Sequence, residues 1–278
     1  MSLLSSDSLR VFVAADRVAV VRTSGRFGSA RRAQPLRTLH VEAGDDSGKA
    51  MLAALGGVFE EARAKRVSVV LSNALVRYLV VPWSDRITSA EERNALARHA
   101  FTQVFGAAAA GWTFVVSPAG KETHTLAAAV DTSVLEGLRG AAGRSGARLR
   151  SVQPLLMAVY NHWRADVGRE ALSLLLLEPG RWCWASLAGG VWQRVQSGRV
   201  DARDDAAVAE IMTRQSSLDA AGAAPALAVP QVWVYAEAGV PSAARLAAGG
   251  WRLRDLVLGG RDRVEGMEPG AEHALLAA

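Results

Sequence analysis

The chain has 278 residues, half of them apolar, with 32 basic and 27 acidic side chains and a single cysteine. That is length for a core or two, and one cysteine excludes a disulfide scaffold and points to a reducing compartment, the cytoplasm. Residues 1–165 carry 21 basic and 13 acidic groups, a net of +8, whereas 166–278 carry 11 and 14, a net of −3.

Met1 to Arg10 shows no basic segment followed by an apolar one, so no secretory leader is expected. Leu9 to Asp16 and Val18 to Arg22 read as two strands joined by a tight turn at Ala15 to Arg17, with a third strand at Leu36 to Val41. A helix from about Gly48 to Arg66 puts Leu52, Leu55, Phe59 and Ala62 on one face. Val67 to Leu71 and Leu75 to Val81 follow as apolar strands, the second stopped by Pro82. Ser89 with Glu92 has capping-box spacing and starts a helix running to Phe105. Trp112 to Val116 and Leu126 to Val130 read as strands. Ser133 with Glu136 suggests a second capping box, and Pro154 opens a helix through Trp163 after a short strand at Leu149 to Val152.

From Leu172 the pattern restarts. Leu172 to Leu177, Trp182 to Leu187 and Val191 to Gln196 are three strands with turns at Pro179-Gly180 and Gly189-Gly190. Leu172 to Leu177, interrupted by Ser173, is the longest apolar run and is far short of the roughly 18 residues of a spanning helix. A helix near Asp205 to Ser217, a strand at Val232 to Tyr235 and a helix near Ser242 to Ala248 complete the half, and the tail from Gly259 is expected to be loosely held. Each half thus runs three strands, helix, strand, helix.

Chemistry-bearing motifs are sparse. The five histidines have no ligand spacing, and Cys183, between Trp182 and Trp184, reads as an inert core thiol, so no metal site is expected. Gly44 to Lys49 has one residue too few between its glycines for a phosphate loop, and Ala50 stands where the metal-binding hydroxyl belongs. Gly143-Arg-Ser-Gly146 reads as a helix-ending turn, since Ala147 replaces the closing glycine of a nucleophile elbow. Arg139, Arg144, Arg148 and Arg150 have the charge to attract anionic lipid or nucleic acid, but no aromatic lies among them to stack a base. A solvated face is the plainer reading there. Trp182 and Trp184 share one face of their strand, most simply in a core.

Three antiparallel strands followed by alternating helices and strands, used twice, resemble the ribonuclease-H-like halves of the actin and sugar-kinase superfamily. Val67 to Trp163 sharpens this. The stretch Ala74-Leu-Val-Arg-Tyr-Leu-Val-Val-Pro-Trp83, an acidic-capped helix, Leu126 to Asp131 and Leu149-Arg-Ser-Val-Gln-Pro154 resemble the cytoplasmic actin-like assembly proteins of type IV pili and type II secretion, the PilM family and the cytoplasmic half of GspL. The resemblance implies an α/β, actin-like (ribonuclease-H-like) two-lobed fold. The lobes are expected at 1–165, with an inserted subdomain at about 68–116, and at 166–278, each a mixed sheet of three antiparallel strands plus parallel strands with flanking helices. The secretion-type relatives continue into a membrane helix and a periplasmic domain that these residues do not contain, so the pilus-type form is the nearer match.

The resemblance also implies a cytoplasmic scaffold at the inner face of the inner membrane. It would dock a short cytoplasmic segment of an inner-membrane assembly protein and engage an assembly ATPase, reaching the membrane only through partners and binding no nucleic acid. Arg77, Tyr78, Trp83, Arg98 and Phe101 are its expected contact residues. An actin-like nucleotide site needs Asp-x-Gly at two strand ends; here they read Ala15-Asp16-Arg17 and Glu178-Pro179-Gly180, and the adenosine loop reads Ala236-Glu-Ala-Gly239. Proline removes an amide that a phosphate would use, so neither cofactor nor catalytic residues are expected. The alternative is a nucleotide-binding actin-like ATPase with atypical phosphate loops that depends on Asp16.

Overall fold

Apolar runs buried at consecutive positions build the centre of the first sheet. In the computed structural model, which describes residues 8–24, 32–40, 47–87, 89–117, 123–168, 170–222, 230–237, 246, 250–258 and 271–276, strands β1 (Ser8–Val13), β2 (Arg17–Ser24) and β3 (Arg32–His40) form an antiparallel meander. Strands β4 (Arg66–Leu71) and β8 (Arg148–Pro154) then add in parallel, so the order is β3-β2-β1-β4-β8. The buried centre of β1 and β4 carries Val11, Phe12, Val13, Val69 and Val70.

Helix α1 (Ser47–Ala62) packs on α3 (Thr132–Arg144). It stops four residues earlier than the sequence predicts, because Arg63 turns the chain at φ 46° and β4 starts at Arg66. Asp131, not Ser133, caps α3: its carboxylate accepts from the Ser133 amide at 2.9 Å. The strand before it ends on that aspartate, which therefore sits beside the first free amides. Pro154 closes β8 instead of opening α4 (Leu155–Trp163), a position an edge strand tolerates. The buried Asn73 side chain supplies the acceptor for the Leu156 amide at 3.3 Å.

The second sheet repeats the first. Strands β9 (Leu172–Glu178), β10 (Arg181–Ala188) and β11 (Val191–Arg199) form a meander, and β12 (Gln231–Ala236) and β13 (Arg252–Asp255) add in parallel, giving β11-β10-β9-β12-β13. The hairpin turns fall at Pro179-Gly180 and Gly189-Gly190, as the sequence predicts, with Gly180, Gly189 and Gly190 at positive φ. Helix α5 (Asp205–Gly222) is capped by the Asp204 carboxylate, which accepts from the amides of Ala206 and Ala207. The helix expected near Ser242 to Ala248 lies, apart from Leu246, outside the described residues.

Between β4 and β8 the chain makes a third sheet, ordered β5-β7-β6, from β5 (Val76–Val81), β6 (Trp112–Val116) and β7 (Thr125–Asp131), together with α2 (Ala90–Phe105). The predicted capping box of α2 is present, Ser89 Oγ accepting from the Glu92 amide and Glu92 Oε2 from the Ser89 amide, both at 3.1 Å. By internal contacts the chain forms two compact units: residues 1–76, 130–162 and 258–278, and residues 77–129 and 163–257.

The end of the chain departs from expectation. A 3-10 turn, Ala271–Leu276, packs on β1, β2, β3 and β4 with Ala274, Leu275 and Leu276 buried. The apolar run Ala274-Leu-Leu explains it, since those side chains cover sheet surface that would otherwise meet water.

Candidate functional site

The inserted sheet and α2 share a small aromatic core. On one face, Leu79 and Val81 of β5, Ala127 and Ala129 of β7, and Trp112, Phe114 and Val116 of β6 meet Ala97, Phe101 and Phe105 of α2. Phe101 is its centre, fully buried, with ring centroids 5.1 Å from Phe114, 5.8 Å from Phe105 and 6.3 Å from Trp112.

Of the five residues read from the sequence as partner contacts, only some reach the surface. Trp83, just past Pro82, is 47% exposed, and Arg98 is exposed with its guanidinium carbon 5.1 Å from the Phe114 ring centroid. Arg77 is half-buried. Tyr78 and Phe101 are interior: the helical spacing Ala97-Phe101-Phe105 turns Phe101 inward, and the strand alternation turns Tyr78 away from Arg77. The exposed Val104 and Val115 escaped sequence reasoning, because each lies in an apolar run that reads equally well as core.

The two candidate phosphate turns are self-closed. At the first, the Ala14 amide donates to the Arg17 carbonyl at 2.9 Å, leaving Ala15 and Asp16 exposed at the tip, and the nearly buried Arg17 guanidinium lies 5.7 Å from the Phe12 ring centroid. At the second, Glu178 closes β9 and is 5% exposed. Glu237, 2% exposed, follows the adjacent β12, its amide donating to the Leu177 carbonyl at 3.1 Å. Two buried acids therefore end neighbouring strands where an actin-like site would receive phosphate and adenosine, and carboxylates there oppose a polyphosphate.

Burial, and then the neighbouring Arg77 cation, lower the Arg181 pKa, while Glu178 opposes them. No spacing rule links Arg77, Glu178 and Arg181, which the fold alone brings into electrostatic range. Ala238-Gly239 of the adenosine loop and Gly44 to Asp46 lie outside the described residues. Among the described residues no three His, Cys, Asp or Glu side chains converge as a metal site would require. Cys183 is buried, and burial pushes its thiol far above the usual range.

The paired indoles are core, not interface. Trp184 is fully buried against Leu175, Leu177, Val232 and Val234, and Trp182 packs against the same cluster. Trp182 is accommodated by its cross-strand partner Gly198, where a Cβ would lie 2.8 Å from the indole nitrogen.

Both five-stranded sheets thus share one strand order, a meander of three followed by two parallel strands, and a helical insert interrupts the first. The fold is actin-like. It is similar to that of a chain in the PilM–PilN type IV pilus biogenesis complex, with a TM-score of 0.67 at 15% identity over 97% of each chain. The cytoplasmic domain of EpsL, an inner-membrane component of the type II secretion system of Vibrio cholerae, matches with a TM-score of 0.55 at 15% identity over 97% of this chain and 93% of that one. A Bacteroides thetaiotaomicron protein with an actin-like ATPase fold matches at 0.58 and 10% identity over 90% and 91%. The pilus and secretion proteins named by the sequence resemblance are therefore among its structural neighbours. No family model and no curated protein sequence matches the chain.

Proposed function

We propose that this chain is a non-catalytic scaffold of a type IV pilus or type II secretion-like assembly apparatus. It docks the short cytoplasmic segment of an inner-membrane protein at the inner face of that membrane, with an assembly ATPase as a further partner. On this reading the lobes are 1–165 and 166–278, and the added subdomain, expected at about 68–116, includes β5, α2 and β6. The observation that supports the reading is the actin-like fold, similar over 97% of this chain to a chain of a type IV pilus biogenesis complex and to the cytoplasmic domain of a type II secretion component. The exposed Trp83 and Arg98, with the half-buried Arg77, are the direct contacts; Tyr78 and Phe101 shape the subdomain from within. The self-closed turn at Ala14 to Arg17 and, in the second sheet, the buried Glu178 and Glu237 support the absence of catalysis.

A photo-crosslinking residue at Trp83 or Arg98 tests the docking. Mass spectrometry should identify the N-terminal cytoplasmic segment of a single-pass membrane protein, and capture of a soluble metabolic enzyme would count against the reading. ATP with magnesium should leave the melting temperature unchanged. A nucleotide-dependent rise that Asp16→Ala abolishes would instead favour an ATPase with atypical loops, for which the exposed Asp16 is the residue available.

A further inference from the structure

The Arg-rich segment Arg139 to Arg150 is only part of a larger basic surface. In β-sheet register Arg66 at the start of β4 is the partner of Arg148 at the start of β8, and the Arg148 amide donates to the Lys65 carbonyl at 2.9 Å. Parallel pairing therefore brings Arg63, Lys65 and Arg66 beside Arg148 and Arg150, residues some eighty positions later in the chain, and the packing of α1 on α3 adds Arg144, whose guanidinium lies over Gly56 and Gly140. All six are exposed. The acids on the adjoining end of α1 are Glu60 and Glu61, and Glu61 faces Arg37 at 3.8 Å; Glu136 of α3 lies one turn before Arg139, which is left out of the surface for that reason.

Arg63 adds an independent observation. It is the only non-glycine residue at positive φ among the described residues, at the helix-to-strand turn where glycine is the favoured occupant. A charged side chain stands there against a backbone preference of roughly 1 kcal/mol.

We infer that this surface binds anionic phospholipid headgroups, so that the protein contacts the bilayer directly and not only through partners. The six cations have no aromatic residue in 63–66 or 139–150 beside them to stack a base, which fits a lipid headgroup plane better than nucleic acid. The surface belongs to the first sheet's strand starts and edge. It is separate from the turn at Ala15-Asp16, which lies at the opposite end of β1.

The test is co-sedimentation with vesicles of phosphatidylcholine containing about one third phosphatidylglycerol, against phosphatidylcholine alone. The protein should bind the anionic vesicles only, with affinity falling steeply with salt, since each cation near such a surface is worth about fivefold. The fourfold variant Arg66→Gln, Arg144→Gln, Arg148→Gln, Arg150→Gln should lose more than a hundredfold. Neutralising the exposed Arg203, Arg214 and Arg252 of the second unit should change binding less than threefold. Arg63→Gly keeps the test clear of folding defects: it should raise the melting temperature while weakening vesicle binding severalfold. Equal binding to neutral vesicles, equal loss in the second-unit variant, or patch-dependent binding to duplex DNA without vesicle binding would overturn the proposal.

Discussion

Cys183 shows how completely one residue's chemistry is set by its surroundings. It sits in β10 between two indoles, fully buried, and burial first and the Glu178 charge second hold its thiol protonated far above the usual range, against Arg181. In the unfolded chain the thiol titrates at its ordinary value, about 9. Above that pH the unfolded state releases a proton that the folded state keeps, so this residue's contribution to stability is intact below pH 9 and declines above it, by about 1.4 kcal/mol per pH unit. Urea unfolding at pH 8 and pH 10 should show a larger loss for the natural chain than for Cys183→Ala; identical losses would show that the thiol ionises in the fold. Inertness was legible from the flanking apolar residues, because a central strand apolar at successive positions is buried on both faces.

Between elements, one carboxylate ties α5 to the second sheet. Asp219 accepts from the indole of Trp184 at 2.8 Å and the hydroxyl of Ser186 at 3.0 Å, and is bonded to Ser173 at 3.3 Å, which reaches β10 and β9. It also accepts from Arg194 of β11, Nη2 lying 2.6 Å from Oδ1, while Arg194 donates to the Gln215 side chain and, at 2.8 Å, to its carbonyl. Asp219→Ala leaves a mostly buried guanidinium without its counter-charge and should cost roughly 2–3 kcal/mol in urea unfolding. Adding Arg194→Met should recover part of that loss, and a cost below about 1 kcal/mol for the single change would show that the knot is not a stability determinant. Sequence reading found α5 and the three strands but not this tie. Residues 194 and 219 follow no helical or strand spacing, and only the packing of α5 across the meander unites them. The α2 capping box was legible because its two hydrogen bonds span three residues, whereas the α3 cap was misplaced by two, since locating it requires knowing where β7 stops.

For the molecule as a whole, the repeated strand order was legible and the charge asymmetry was misleading. Cutting the chain at 165 separates +8 from −3, but the unit containing residues 1–76, 130–162 and 258–278 has 17 basic and 13 acidic groups, and the other unit 15 and 14. The asymmetry thus shrinks to +4 against +1, and what distinguishes the first unit further is where its cations gather. The chain end belongs to that unit too. His273 lies 4.6 Å from Phe12 between ring centroids, Arg10 donates to the Leu275 carbonyl, and Gln153 donates to the Leu276 carbonyl at 3.2 Å. Deleting residues 271–278 uncovers Phe12 and should cost at least about 3 kcal/mol, read as a lower melting temperature with new binding of a hydrophobic dye. An unchanged melting temperature would mean that the segment rests on the sheet without stabilising it.

By itself the sequence determined the strands other than β13, which it did not show, and their turns and repeating order, because apolar patterning and Gly or Pro punctuation act over a few residues. It also carried the loss of the Asp-x-Gly turns. Only the tertiary structure decided that Phe101 and Tyr78 point inward, that Glu178 and Glu237 end adjacent strands, and that Arg63, Lys65 and Arg66 stand beside Arg144, Arg148 and Arg150. Each of these depends on a pairing across many residues, and pairing register leaves no mark on the local pattern of a chain.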